Sequence, residues 1–124
     1  MKREILFRGK SIDNGEWVEG TIHFNGKYIL SNKHRNNYHE WVEIIPETVG
    51  QYTGMADKNG TNIFEGDIVR ESFKGHGRIY HVFWDDDYFA FRAKGEDITY
   101  QLDEIAPSHC EVIGNIHDNK ELLK

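Results

Sequence analysis

The chain has one cysteine, two prolines and no long apolar run. With Cys110 alone, no disulfide can form within the chain, which suits a reducing compartment. No segment approaches the roughly 20 apolar residues that span a bilayer. Ile5-Leu6-Phe7, set between a charged start and Arg8, is too short for the apolar core of a signal peptide. A cytoplasmic location, without membrane association, is therefore expected. An excess of positive charge is missing too: the net charge is −6. Residues 1–62 carry eight Lys+Arg and eight Asp+Glu, whereas residues 63–124 carry seven and thirteen. Bulk electrostatics thus disfavour coating nucleic acid, although a local basic patch stays open. Nor is there a sustained 3.6-residue apolar period, so no substantial helix is expected.

What is present is the grammar of short strands and turns. The 124 residues suit one domain, 1–124, which buries roughly two-thirds of its unfolded surface. The 13% aromatic content argues against disorder. Strands are read over 3–9, 17–24, with a bulge or bend at Gly20, and 27–31. Asn25-Gly26 between the last two is a strong hairpin signal, because both turn residues accept a positive φ. Residues 32–40 read as a polar loop, 41–45 as a strand ended by Pro46, and 48–54 as a strand interrupted by Gly50. Further strands are read over 67–73, 78–84, 88–93, 98–102 and 110–116. Turns are read at 74–77, at Asp85-Asp86-Asp87 and around Pro107. The strand 78–84 is apolar on both faces and hence central. Residues 118–124 form a short C-terminal helical turn capped by Asp118 or Asn119. The expected fold is mainly β: a small barrel-like or sandwich-like antiparallel sheet.

The stretch YTGMADKNGTNIFEGDIV, 52–69, is rich in groups that bind ions. A calcium loop starting at Asp57 needs glycine at its sixth position and an acid at its twelfth, but Gly60 falls fourth and Ile68 twelfth. The glycines match no phosphate-binding spacing, and no helix follows them. A pair of turns accounts for the letters better. Asp57 accepts backbone N–H groups and Gly60 takes the left-handed conformation, then Gly66 frees a second turn that Asp67 bonds across. Met55 and Ile63 or Phe64 pair across the short hairpin.

No catalytic or metal-ligating set stands out, and no cofactor is implied. The seven histidines lack ligand spacing, Cys110 beside His109 is an isolated pair, and no serine has a nucleophile-elbow context. The three aspartates 85–87 read as a solvated turn, with a metal-dependent enzyme as the weakest alternative. In 31–40, basic and aromatic residues interleave: Lys33 and Arg35 suit phosphates, and Tyr38 and His39 suit stacking on bases. With Arg70, Lys74 and Arg78 they form the nucleic-acid candidate, against the simpler reading of a polar hairpin loop. Sixteen aromatic residues exceed what one small core needs. Trp17 or Trp41 on an exposed apolar patch would favour protein contacts.

Three segments carry a resemblance. TVGQYTGMADKNGTNIFEGDIV (48–69) is similar to the signature of the YopX family, REILFRGKSIDNGEWVEG (3–20) to its opening, and EVIGNIHDNKELL (111–123) to its ending. Lys120 departs from it, standing where that family often has proline. The resemblance implies a mainly β fold with a barrel-like core, a phage or prophage origin in Gram-positive bacteria, and work in the host cytoplasm. It brings no activity and no site residues. The expectation is a non-enzymatic accessory protein that contacts a host or phage protein or assembles as a homo-oligomer. A small-barrel nucleic-acid binder is the alternative.

Overall fold

The computed structural model describes residues 5–35, 38–72, 77–106 and 108–123, with backbone alone at 32–35 and 38–39. Among the described residues the strands are β1 (Phe7–Ser11), β2 (Trp17–His23), β3 (Tyr28–Arg35), β4 (Tyr38–Ala56), β5 (Asn62–Phe64), β6 (Asp67–Glu71), β7 (Ile79–Asp85), β8 (Ala90–Lys94), β9 (Thr99–Gln101) and β10 (Cys110–Asn115). The only helical pieces among the described residues are 3-10 turns. One is at Leu102–Glu104 and the other, near the C-terminus, at Lys120–Leu123. The chain is mainly β, as its patterning implies, with two antiparallel sheets of five strands. It divides into two compact units, Met1–Tyr52 and Thr53–Lys124.

In the first unit the pairings close on themselves. β1 pairs β2, β2 pairs β3, β3 pairs β4, and β4 returns to β1, all antiparallel. Ring closure gives each of these four strands two partners. Leu6, Ile29 and Ile44 are buried in this unit, and each large apolar side chain so buried contributes roughly 1.5–3 kcal/mol. The ladder runs through Gly20 with no bulge, from Phe7 on one side to Ser31 on the other. Glycine is needed there for a different reason: a Cβ would stand 1.9 Å from the Leu30 carbonyl oxygen.

Two readings of this unit are corrected. The loop expected over 32–40 is strand at 32–35 and 38–40, because β3 continues to Arg35 and β4 starts at Tyr38, with His34 opposite His39. Polar composition hid a hairpin whose backbone pairing does not depend on apolar side chains. Pro46 and Gly50 do not break β4 either. Up to Glu43 the strand pairs with β3, and from Ile44 to Gln51 it pairs with β1. Pro46 sits at a register shift in the β1 pairing, where no ladder N–H is required of it. Thr48 fills the gap: its Oγ1 accepts the Lys10 N–H at 2.9 Å and donates to the Ile45 carbonyl at 2.6 Å.

In the second unit the strand order is β10-β6-β7-β8-β9, and β7 is central as its two apolar faces require. Tyr80 and Val82 project from one face of β7 into a core with Ile63, Val69, Ala93, Leu102 and Cys110. β5 lies against the end of β4, where Thr53 Oγ1 donates to the Ile63 carbonyl at 2.8 Å. The hairpin between β6 and β7 closes with the Glu71 N–H on the Arg78 carbonyl at 2.7 Å. The turn residues 74–76, Phe73 and Pro107 lie outside the described residues. At the C-terminus the Asn119 carbonyl accepts the Leu122 N–H. Asn115 Oδ1 holds the preceding bend through the N–H groups of His117 and Asp118.

Candidate functional site

The acidic stretch 52–69 is occupied with its own backbone. Asp57 is buried, with Oδ1 accepting the N–H groups of Asn59 and Thr61, both at 2.9 Å. Its Oδ2 accepts the Val112 N–H from β10 at 2.8 Å. Gly60 has φ +83 and donates to the Asp57 carbonyl. Asp67 is 1% exposed and accepts the Phe64 N–H at 2.7 Å across a turn in which Gly66 has φ +94. These carboxylates tie loops to strands. Among the described residues no group of three or more His, Cys, Asp and Glu is gathered for a metal ion.

A different constellation reaches solvent. Alternation along β2, β3 and β4 sends Ile22, Ile29 and Val42 to one side of the ladder, and the register aligns them. The opposite side then carries His23, Tyr28 and Trp41. The Asn25-Gly26 turn has the positive φ values its sequence implies, but Phe24 before it also has a left-handed φ of +55. That turns Phe24 out of the strand alternation and onto the neighbouring rings. It lies 5.5 Å from Tyr28, edge-on, and 5.5 Å from Trp41, while His23 packs edge-on to Trp41 at 4.9 Å. Phe24 remains 64% exposed and Trp41 50%. Trp17 does not join this surface: it is half-buried, with the Arg8 guanidinium 4.7 Å and the Lys10 ammonium 5.7 Å from its ring.

The predicted nucleic-acid residues continue along the same hairpin. Lys33 and Arg35 are in β3, Tyr38 and His39 in β4, and Arg35 stands opposite Tyr38. Their side chains lie outside the described residues. Arg70 belongs to the second unit and pairs with Glu111 at 2.8 Å, which holds the Glu111 carboxyl below its ordinary range. Lys74 lies outside the described residues, and Arg78 is exposed just before β7.

A second exposed aromatic group was misread in the sequence. The apolar letters of Tyr88 and Phe89 imply strand, but β8 starts only at Ala90, and the two rings belong to the turn after Asp85. The three aspartates build that turn. Asp85 pairs with Arg92 at 3.1 Å and accepts the Asp87 N–H, while Asp86 accepts the Trp84 indole N–H at 2.8 Å. Arg92 also stacks over Tyr88 at 3.9 Å. Phe89 is left 81% exposed with a φ of +49. A left-handed aromatic residue costs about 1–2 kcal/mol. Phe24 offsets that cost with ring contacts, whereas the Phe89 ring stacks on no other among the described residues. No periodicity reveals such a residue, since its letter is a strand letter.

At the other end of the β7–β8 hairpin is an open cleft of about 900 Å³. Its lining includes the apolar Ile79, Ile98, Leu122 and Leu123 and the charged Arg78, Lys94, Glu96 and Asp97. His81 lies in it, and burial together with the Lys94 ammonium keeps the imidazole below its ordinary pKa. Tyr80 borders it from the core side. Burial, aided by its hydrogen bond to Glu71 at 2.7 Å, pushes the phenol up to about 12. Cys110 is fully buried, and burial, then the nearby Asp57 charge, raise its thiol to about 11, far from a nucleophile's range.

Taken together these are a small β scaffold with two exposed aromatic surfaces. The YopX protein family model matches residues 6–124, and the chain belongs to that family. It is also similar to a crystal structure of protein EF1440 from Enterococcus faecalis. That match has a TM-score of 0.67 and 26% identity, covering 99% of this chain and 100% of that one. No curated protein matches the chain.

Proposed function

We propose that this YopX-family protein is a phage or prophage accessory factor that acts in the host cytoplasm by binding another protein, without catalysing a reaction. The supporting observation is the solvent-facing ring cluster of His23, Phe24, Tyr28 and Trp41. Large aromatic side chains are enriched where protein interfaces concentrate their energy, and rings already packed on one another lose little freedom on docking. The test is affinity capture from infected or induced host cells, with nuclease-treated and untreated samples compared. A host or phage protein retained after nuclease treatment, and lost with a Phe24→Ser/Trp41→Ala variant of unchanged melting temperature, is the expected result. Equal recovery by that variant refutes the assignment.

A second reading has its own support. Stacking rings on the outside of a small barrel are a platform for single-stranded nucleic acid, and the β3–β4 hairpin that carries Trp41 also carries Lys33 and Arg35. It predicts salt-dependent binding of a labelled oligonucleotide, weakened in a Lys33→Ala/Arg35→Ala double variant. No binding at low salt would end it.

A further inference from the structure

The chain contains three Asn-Gly pairs, at 14–15, 25–26 and 59–60. We infer that, of the three, Asn25-Gly26 is the site of spontaneous deamidation in the folded protein, and that its isoaspartyl product rearranges the ring cluster beside it. In this reaction the glycine amide nitrogen gives its proton to a base and attacks the asparagine side-chain carbonyl carbon. A C–N bond forms, the side-chain amide leaves as ammonia, and a cyclic imide results. Water then opens the imide at either carbonyl, giving aspartate or isoaspartate. The net change consumes water and releases ammonia, with no oxidant or reductant. Glycine favours the attack because it has no Cβ to obstruct the nitrogen.

Exposure does not separate the three pairs. All three asparagines are exposed. All three glycines have a left-handed φ, and a Cβ on any of them would meet nothing within 4 Å. Hydrogen bonding does separate them. The Gly15 N–H donates to the Ser11 carbonyl at 3.0 Å, and Asn14 Oδ1, on the carbon that would be attacked, accepts the Glu16 N–H at 2.9 Å. The Gly60 N–H donates to the Asp57 carbonyl at 3.0 Å, in a turn that the buried Asp57 carboxylate clamps through Asn59 and Thr61. A donated N–H holds its proton more firmly, and its peptide plane is fixed. The Gly26 N–H has no acceptor among the described residues. Its turn is closed instead by the Lys27 N–H on the Phe24 carbonyl, at a long 3.2 Å. Opening that one bond frees Asn25 for the attack.

Isoaspartate routes the main chain through the side-chain carbon and lengthens it by a methylene at the turn. The left-handed run Phe24, Asn25, Gly26 depends on the ordinary spacing, and Phe24 owes its contacts with Tyr28 and Trp41 to that run. Ageing at this turn therefore displaces Phe24 and sets a carboxylate beside it, whatever the rings bind.

Incubation in mildly alkaline buffer, then cleavage after glutamate and mass spectrometry, tests this. Glu16 and Glu19 lie between Asn14 and Asn25, so the three pairs fall on separate peptides. In the folded protein Asn25 is expected to convert roughly tenfold faster than Asn14 or Asn59, the factor that one or two hydrogen bonds are worth. In strong denaturant the three should convert at comparable rates. The isoaspartyl form, separated by ion exchange, should lose the near-ultraviolet circular dichroism of the packed rings, as Phe24→Ser does, while Asn25→Asp retains it. Equal conversion of the three in the folded protein, or Asn14 or Asn59 ahead, would overturn the site. A preference for Asn25 that persists undiminished in denaturant would overturn it too, since the fold would then not be its cause. An isoaspartyl form with unchanged ring signals would overturn the rearrangement.

Discussion

Asp57 is a buried carboxylate whose partners are three backbone N–H groups, two in its own turn and one on β10. Removing it leaves those donors without an acceptor, so Asp57→Ala should destabilise the protein by about 3 kcal/mol. Urea unfolding is the measurement, with an unchanged slope expected. Buried titratable groups set a second expectation. The folded-state pKa of Cys110 rises from 9.0 to about 11 and that of Tyr80 from 10.0 to about 12. Between these values the unfolded chain has lost protons that the folded chain keeps. Stability is therefore fully present below about pH 9 and declines as pH rises toward 11 and beyond. Melting temperatures across pH 8–11 should show the fall, and Cys110→Ala should flatten its first part. His81 runs the opposite way. Its folded pKa is depressed, so the unfolded chain takes up a proton first and stability declines as pH drops below 6.5.

Sheet edges and close approaches govern the elements. At Gly20 the strands β2 and β3 come so near that a methyl group meets the Leu30 carbonyl. Gly20→Ala should cost about 3 kcal/mol, measured by thermal or urea unfolding. β10 would be an open edge, but the Asp57-Lys58 turn covers it: Val112 donates to Asp57, and the Cys110 carbonyl accepts the Lys58 N–H. β9 ends the same sheet with only three residues. The Gln101 N–H is held by Glu104 at 2.8 Å, so hydrogen exchange should be faster at Thr99 than at Gln101 or Val112. Much of this was readable from the letters. Alternation located nearly every strand, Asn25-Gly26 located a hairpin, and the double apolar face of 78–84 placed β7 centrally. The failures share a cause, which is that backbone geometry is set by partners remote in sequence. Pro46 is harmless only because β1 opposes it with a shifted register. His34 and Arg35 pair with His39 and Tyr38 through backbone groups that every residue carries. Phe89 reads as strand and lies in a turn because three aspartates before it close that turn.

At the level of the whole molecule, family membership spans both compact units, and the enterococcal structure covers them both at full length. The negative excess, however, belongs to the second half of the chain. The first unit is electrically balanced and presents a cluster of rings, while the second carries acidic groups around its own exposed ring. The candidate surfaces were thus only partly legible. Trp41 was recognisable as a surplus aromatic residue, but which rings gather depends on the left-handed Phe24, and that depends on the turn beside it. Closure of the β1–β4 ring bears on how the chain is made. Phe7 finds its partner in Gln51, so the first unit cannot complete its hydrogen bonding until Gln51 has left the ribosome. Beyond Gln51 the same strand runs on to Ala56, in the second unit. During synthesis, β1 must therefore wait with one edge unsatisfied while β2 and β3 form beside it. The strand that closes the first ring is thus the same one from which the second unit's chain sets out.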